Sequence, residues 1–185
     1  MARVLLILAS VAAAFSFAGD AQAAGGNYIF EGASARQQGQ VKAALNASSF
    51  DWNLVPAQIT IHVAPGTGTY ATPGHIYIDA DLLSADRFAW ASIQDEYAHQ
   101  VDFFLFNAEQ RERLNLALGG SDWCYGVAGL AHSQYGCERF ASTLVWTFWQ
   151  SKHNSYRPAS RTDESAAMAP AKFRALLAQI LAERP

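Results

Sequence analysis

One segment of this chain, from about Ser84 or Asp86 to Phe106, repeats its apolar side chains with the period of an α-helix. At 3.6 residues per turn, six apolar side chains share one broad face: Trp90, Ile93, Tyr97, Val101, Phe104 and Leu105. Four polar side chains share the other face: Ser92, Asp95, His99 and Asp102. The pattern predicts a long amphipathic helix, against which the rest of the domain packs.

Two strand candidates come before this helix. Gln58–Val63 and Gly74–Asp79 both alternate in polarity and are rich in β-branched residues, and a Gly/Thr/Pro loop separates them. We expect them to pair. The order of elements predicts an α+β fold, with a small and mostly antiparallel sheet packed on the long helix and a helical C-terminal half.

The remaining segments predict further helices joined by polar loops. The helices are expected from Ser34 to Asn46, from Glu109 to Leu118, from Cys137 to about Gln150, and from Pro170 toward the end of the chain. Loops are expected from Ser121 to Gln134 and from Lys152 to Ala169, and the small-residue lead-in from Ala24 to Gly32 is expected to fray.

The first 23 residues have the layout of a secretory signal peptide. Arg3 precedes an apolar run from Val4 to Phe17, and Ala21-Gln22-Ala23 is a small-x-small cleavage site. The run is shorter than the roughly 20 residues of a membrane-spanning helix. The alternative is an uncleaved anchor. We expect cleavage after Ala23, a secreted or extracytoplasmic protein formed by residues 24–185, and no stable membrane insertion once the signal is removed.

Composition narrows the class of protein. Hydrophobic residues make up 51% of the chain, which is enough for a substantial core. The formal net charge is -3, and the basic residues are scattered rather than clustered. A nucleic-acid partner is therefore not expected, since such proteins carry a basic patch.

The chain has two cysteines, Cys124 and Cys137. Exported proteins are oxidised, so a disulfide between them is the expected state, and the alternatives are two free thiols or a metal site. In the chain-entropy treatment a loop of this length stabilises the fold by about 3 kcal/mol.

The polar face of the long helix carries a possible metal site. Asp95 and His99 are four residues apart and project from the same side, so both can reach one cation. Glu96, one residue further round the helix, is then placed to take a proton from water. Zinc accepts carboxylate oxygen as well as imidazole nitrogen. A third ligand has to come from elsewhere in the fold.

Two motifs resemble the gluzincin branch of the zincin zinc metallopeptidases. They are Asp95-Glu96-Tyr97-Ala98-His99-Gln100-Val101-Asp102 and, downstream, Gly136-Cys137-Glu138-Arg139-Phe140-Ala141-Ser142. The resemblance covers roughly residues 58–150 and implies a minimal, single zincin-like domain. It also implies that His99 and Glu138 bind Zn²⁺, that Glu96 is the general base, and that the substrate is a peptide or protein.

The first motif departs from the family at one position. A zincin has His-Glu-x-x-His, and this chain has Asp95 in place of the first histidine. If Asp95 binds the metal, two carboxylates and one imidazole form the site, a set that favours a harder cation such as Mn²⁺. Asp102, three residues after His99, is expected to orient the ligand by bonding its other ring nitrogen.

Each of these residues also has a structural explanation. The polar face of the helix can simply be solvated, and Glu138 can simply complement the dipole of a helix N-terminus. The remaining histidines, His62, His75, His132 and His153, are expected to be structural or exposed, although His132 lies only six residues before Glu138.

Other chemistries are less well supported by the sequence. Glu96-x-x-His99 also matches half of a di-iron bundle site, but no second copy of that pair exists in the chain. Two functions stay open. The chain is either a metal-dependent peptide hydrolase or a catalytically inactive pseudo-metallopeptidase, without a metal, that acts as a binding or structural domain.

Overall fold

The computed structural model describes residues 25–183. Over this range the chain forms four strands and five α-helices: β1 (Tyr28–Glu31), α1 (Ala35–Ala47), β2 (Ile59–Ala64), β3 (Tyr70–Thr72), β4 (His75–Asp79), α2 (Ala89–Leu105), α3 (Ala108–Leu118), α4 (Gly136–Phe148) and α5 (Pro170–Ala182). The α+β class and the helical C-terminal half are confirmed. The predicted signal peptide, Met1–Ala23, lies outside the described residues.

The sheet is mixed, with strand order β1-β2-β4-β3. The two predicted strands do pair, but β4 runs parallel to β2, and β1 also runs parallel to β2. Among the described strands, only β3 and β4 pair antiparallel. The expectation of a mostly antiparallel sheet is therefore wrong. The chain reverses direction between β2 and β3, and it reverses again between β3 and β4. Strand β4 therefore runs in the same direction as β2, and it pairs between β2 and the edge strand β3.

The N-terminal lead-in is ordered where it pairs with the sheet. Residues 28–31 form β1, in register with the start of β2 through Tyr28 opposite Ile59. The expected fraying is wrong for these residues, since a partner about 30 positions away in the sequence satisfies their backbone groups.

Local signals explain most helix boundaries. Ser34 caps α1 in a capping box with Gln37, Gly119 ends α3 with a left-handed φ of 72°, and Pro170 is the first residue of α5. The long helix begins later than expected, at Ala89. Leu82–Phe88 forms 3₁₀ turns interrupted at Asp86, whose φ of 52° no α-helix can contain.

Helix α2 lies inside the fold. Its predicted apolar face packs into one hydrophobic core through Ile93, Tyr97, Val101 and Leu105, while Phe104 stays partly exposed. Helices α1 and α4 cover other sides of α2. Within residues 25–183, no helix is both long and apolar enough to cross a membrane.

Candidate metal centre

The polar face of α2 is buried. Asp95 is 5% exposed, Glu96 8%, His99 7% and Asp102 1%. A solvated face would leave these side chains in water, so that explanation does not hold. Burying ionisable groups costs free energy unless partners compensate them, and the partners of these residues define the site.

A local framework fixes the first turn of α4, which carries Glu138. The predicted disulfide between Cys124 and Cys137 is confirmed, and Asp122 forms an isolated parallel bridge with Tyr135 just before the helix. Gly136 starts the helix against Trp123, where an added Cβ would lie 2.8 Å from a ring carbon. The loop before α4 is thereby tied to the helix beside Glu138.

Helices α2 and α4 bring the predicted ligands together. His99 Nε2 lies 3.3 Å from Glu138 Oε2 and 3.9 Å from Asp95 Oδ2. Ser142, one turn after Glu138, donates to Asp95 Oδ1 at 3.4 Å. One imidazole and two carboxylates therefore meet between two buried helices.

A buried group of three donors, on His99, Cys137 and Glu138, could hold a metal ion, since their donor atoms all lie within 4.8 Å of one another. Cys137 is bonded to Cys124, so its sulfur has no thiolate to offer a metal. The usable donors of this group are therefore the imidazole and the carboxylate.

Asp102 has a different role from the one expected. Its carboxylate accepts from Arg111 Nε at 2.7 Å and from Trp123 Nε1 at 3.1 Å. Among the described residues, no hydrogen bond joins it to His99, so the expected orienting bond is not formed. Asp102 instead ties α2 to α3 and to the loop before α4, since Arg111 and Trp123 lie on those elements.

Three contacts to Glu138 and its neighbourhood were not expected from the sequence. His132 Nε2 lies 3.1 Å from Glu138 Oε2, and His132 Nδ1 lies 2.9 Å from Glu164 Oε1. Tyr125 donates to Glu138 Oε1 at 2.8 Å. The short spacing from His132 to Glu138 was the one sequence signal for this arrangement. Glu164 and Tyr125 had none, since both lie in irregular segments.

Burial and pairing shift the ionisation of these groups. Burial raises the pKa of Asp95 well above its ordinary value and raises the pKa of Glu96 to about 7. Burial lowers the pKa of His99, but Glu138 and Asp95 outweigh this and bring it to about 9. Burial also raises the pKa of Glu138, but hydrogen bonds from His132 and His99 hold it well below its usual range.

The site opens into a cavity of about 590 Å³. Its polar lining includes Asp95, Glu96, His99, His132 and Glu138, and its aromatic lining is Tyr70, Phe103, Tyr125 and Tyr156. No Lys or Arg is among the described residues that line it. Among the described residues that line this solvent-accessible space, only the imidazoles of His99 and His132 can carry a positive charge that compensates the acidic groups.

Comparison with known proteins does not identify the chain: no protein family, curated protein or solved structure matches it. The chemistry of the site therefore has to be inferred from its own residues. Buried carboxylates and an imidazole beside an open cavity can bind a divalent cation, and a carboxylate with a pKa of about 7 can exchange a proton with water near neutral pH.

Proposed function

We propose that the protein is an exported, metal-dependent hydrolase of peptides or proteins. His99, Glu138 and Asp95 hold Zn²⁺, or a harder cation such as Mn²⁺, and Glu96 is the general base. The observation that carries the proposal is that these four side chains, from two helices, are all buried and yet all line one open cavity. The disulfide supports export, because such bonds persist in oxidising compartments.

The spacing of the donors fits a metal. Ligand atoms bonded at about 2.1 Å to a tetrahedral zinc ion are about 3.4 Å apart. His99 Nε2 and Glu138 Oε2 are 3.3 Å apart, and Asp95 Oδ2 is 3.9 Å from the same nitrogen. A histidine and a glutamate therefore stand at ligand spacing, and Asp95 is within a small adjustment of it.

Glu96 supplies the proton-transfer group. A bound zinc ion polarises the scissile carbonyl and acidifies water. Glu96 lies beside the proposed ligands and lines the same cavity, where its carboxylate can take a proton from water. Its role is to accept the proton of the attacking water and to return it to the leaving amine.

The cavity wall favours an extended peptide as substrate. Strand β3 lies at the edge of the sheet, and Tyr70 and Ala71 of this strand line the cavity. An edge strand offers backbone groups with which an extended peptide can pair as an added strand. Such a peptide would pass over the carboxylates of α2, with aromatic side chains on either side.

The second candidate is an inactive pseudo-metallopeptidase that binds a partner. One observation favours it: Glu138 already has three polar partners within the protein, His99, His132 and Tyr125. A carboxylate with so many partners can be stable without a metal.

Metal binding separates the two candidates. We expect the purified chain to bind about one Zn²⁺ or Mn²⁺, and we expect His99→Ala and Asp95→Ala to lose that binding. His153→Ala is the control, because His153 does not line the cavity. A reconstituted wild-type chain that holds no metal would leave only the inactive candidate.

A gain-of-function variant tests catalysis. Asp95→His restores the second imidazole of the zincin motif, so it should bind zinc more tightly than the wild type and hydrolyse unstructured peptides faster. Glu96→Gln in the same background should keep the zinc and lose the hydrolysis. Equal zinc affinity in Asp95→His and the wild type would mean that position 95 does not face the metal.

A further inference from the structure

We propose that His132 is a metal ligand and that it supplies the imidazole that position 95 lacks. The inference rests on the proposed metal binding and concerns which residues hold the ion. A catalytic zinc site of the peptidase type uses two imidazoles and one carboxylate. His99 and Glu138 provide one of each, so one imidazole is missing from α2.

His132 meets the same carboxylate oxygen as His99. Glu138 Oε2 lies 3.3 Å from His99 Nε2 and 3.1 Å from His132 Nε2. Both separations are close to the roughly 3.4 Å expected between two ligands of one tetrahedral zinc ion. The two imidazoles come from different parts of the chain, α2 and the turn before α4, and both line the cavity.

The other ring nitrogen of His132 has the partner that a metal-bound histidine needs. His132 Nδ1 pairs with Glu164 Oε1 at 2.9 Å. Metal-binding histidines almost always bond a carboxylate, carbonyl or water through the second nitrogen, which orients the ring and increases its basicity. Ser142 Oγ lies 3.3 Å from Glu164 Oε2 and 3.4 Å from Asp95 Oδ1, so its one hydroxyl proton is within reach of either carboxylate.

The backbone that carries His132 is anchored. His132 begins a short 3₁₀ turn, His132–Gln134, that runs directly into α4. Arg139 Nη1 donates to the carbonyl of Ser133 at 3.1 Å, and Ser121 N donates to the carbonyl of Gln134 at 2.7 Å. The side chain itself is 60% exposed, so the turn presents the imidazole while leaving it room to adjust to an ion.

His132 thus joins the proposed ligands, and Asp95 lies beside His99, with its carboxylate within reach of Ser142. A second imidazole favours zinc over the harder Mn²⁺, because imidazole is the softer donor. His132, 37 positions after Asp95, thus supplies the imidazole that the α2 motif does not contain.

X-ray absorption at the zinc edge tests the ligand count directly. The wild-type chain with one equivalent of Zn²⁺ should give the scattering of two imidazoles, and His132→Ala should give that of one. His153→Ala is the matched control and should keep two. A wild-type spectrum that fits one imidazole, or a His132→Ala spectrum that is unchanged, overturns the inference and leaves His132 as a partner in an ion pair with Glu138 and Glu164.

Zinc affinity gives a second measurement. His132→Ala should weaken zinc binding by more than a hundredfold, and Glu164→Gln, which removes only the orienting charge, should weaken it roughly 10- to 100-fold. Circular dichroism should show both variants folded. Wild-type affinity in His132→Ala overturns the inference while zinc binding by the wild type still supports the proposed function. A wild-type chain that binds no zinc overturns both.

Discussion

The two faces of helix α2 are both largely buried but differ in what surrounds them. Ile93, Tyr97 and Val101 on the apolar face pack into the hydrophobic core. Asp95 and His99 on the polar face pack against α4 and the cavity, where charged and hydroxyl groups surround them. Burial by itself stabilises the first face, whereas the second is stable only through specific partners.

This difference shows where function and stability are separated in the molecule. The core consists almost entirely of aliphatic and aromatic side chains, and most of it can be rebuilt with other apolar side chains of similar volume. The polar face raises the pKa of two carboxylates through burial and keeps them next to an open cavity. Perturbed pKa values of this kind are typical of functional sites.

The largest effect is expected on the apolar face. Ile93→Ala should lower the free energy of unfolding by about 3 to 4 kcal/mol, because the lost burial is accompanied by a cavity. Denaturant unfolding measures it. Leu116→Ala is the control at a side chain that is 74% exposed, and it should change stability by less than about 0.5 kcal/mol. Equal effects at the two positions would contradict the assignment of the core.

The disulfide comes next, because it fixes the helix that faces the polar side of α2. The double variant Cys124→Ala/Cys137→Ala should lose about 3 kcal/mol of stability, since the bond closes a loop with a sequence separation of 13. Adding a dithiol reductant should destabilise the wild type by a similar amount and leave the variant unchanged. A variant as stable as the wild type would mean that the non-covalent contacts of the loop hold it in place without the disulfide.

Arg111→Ala should cost about 2 kcal/mol, because it leaves the buried carboxylate of Asp102 with one partner, Trp123. The value is below that of a fully buried pair, since Arg111 is 31% exposed. A double-mutant cycle with Asp102→Asn measures the coupling. If the stability losses of Arg111→Ala and Asp102→Asn add up in the double variant, the two side chains are not energetically coupled.

The last effect has the opposite sign and depends on pH. The pKa of Glu96 is raised to about 7 in the folded protein, so the folded state keeps a proton that the unfolded state loses. The metal-free protein should therefore lose stability as pH rises from about 4.5 to about 7, and Glu96→Gln should remove this loss. We expect the variant to be more stable by up to about 3 kcal/mol above pH 7, because the pKa is raised from 4.5 to about 7, and equal to the wild type near pH 4.

Chelator-treated protein, unfolded across this pH range, provides the measurement for Glu96. Glu112→Gln is a suitable control, because Glu112 is an exposed residue on α3. If the stability gain of Glu96→Gln is constant across this pH range, Glu96 is ionised throughout and the polar face does not retain a proton.

Elements with a periodic pattern were predicted well. Helices α1, α3 and α5 and strands β2 and β4 lie close to the expected segments, because their period and end signals are local. Strand β1, strand β3 and the direction of pairing were not predicted. A short strand is stabilised by its neighbour rather than by its own residues, so its sequence carries little sign of it.

The residues of the candidate site also divide into those that the sequence predicted and those that it did not. Asp95, Glu96 and His99 share a helix face, and the relation of Glu138 to them was expected from the resemblance to the gluzincin motifs. Asp102 was assigned the wrong partner, because Arg111 and Trp123 reach it from separate elements. His132 and Glu164 come from irregular segments, where no period connects a residue number to a direction in space.

The sequence by itself determined the long two-faced helix, the α+β class, the pairing of the two cysteines and the residues of α2 that could meet a cation. Only the tertiary structure decided that the polar face is buried, that β4 runs parallel to β2, and that His132 reaches both Glu138 and Glu164. The physical reason is the range of the interactions. Helix faces follow from bonds between near neighbours, whereas the surroundings of a face depend on segments brought together by folding.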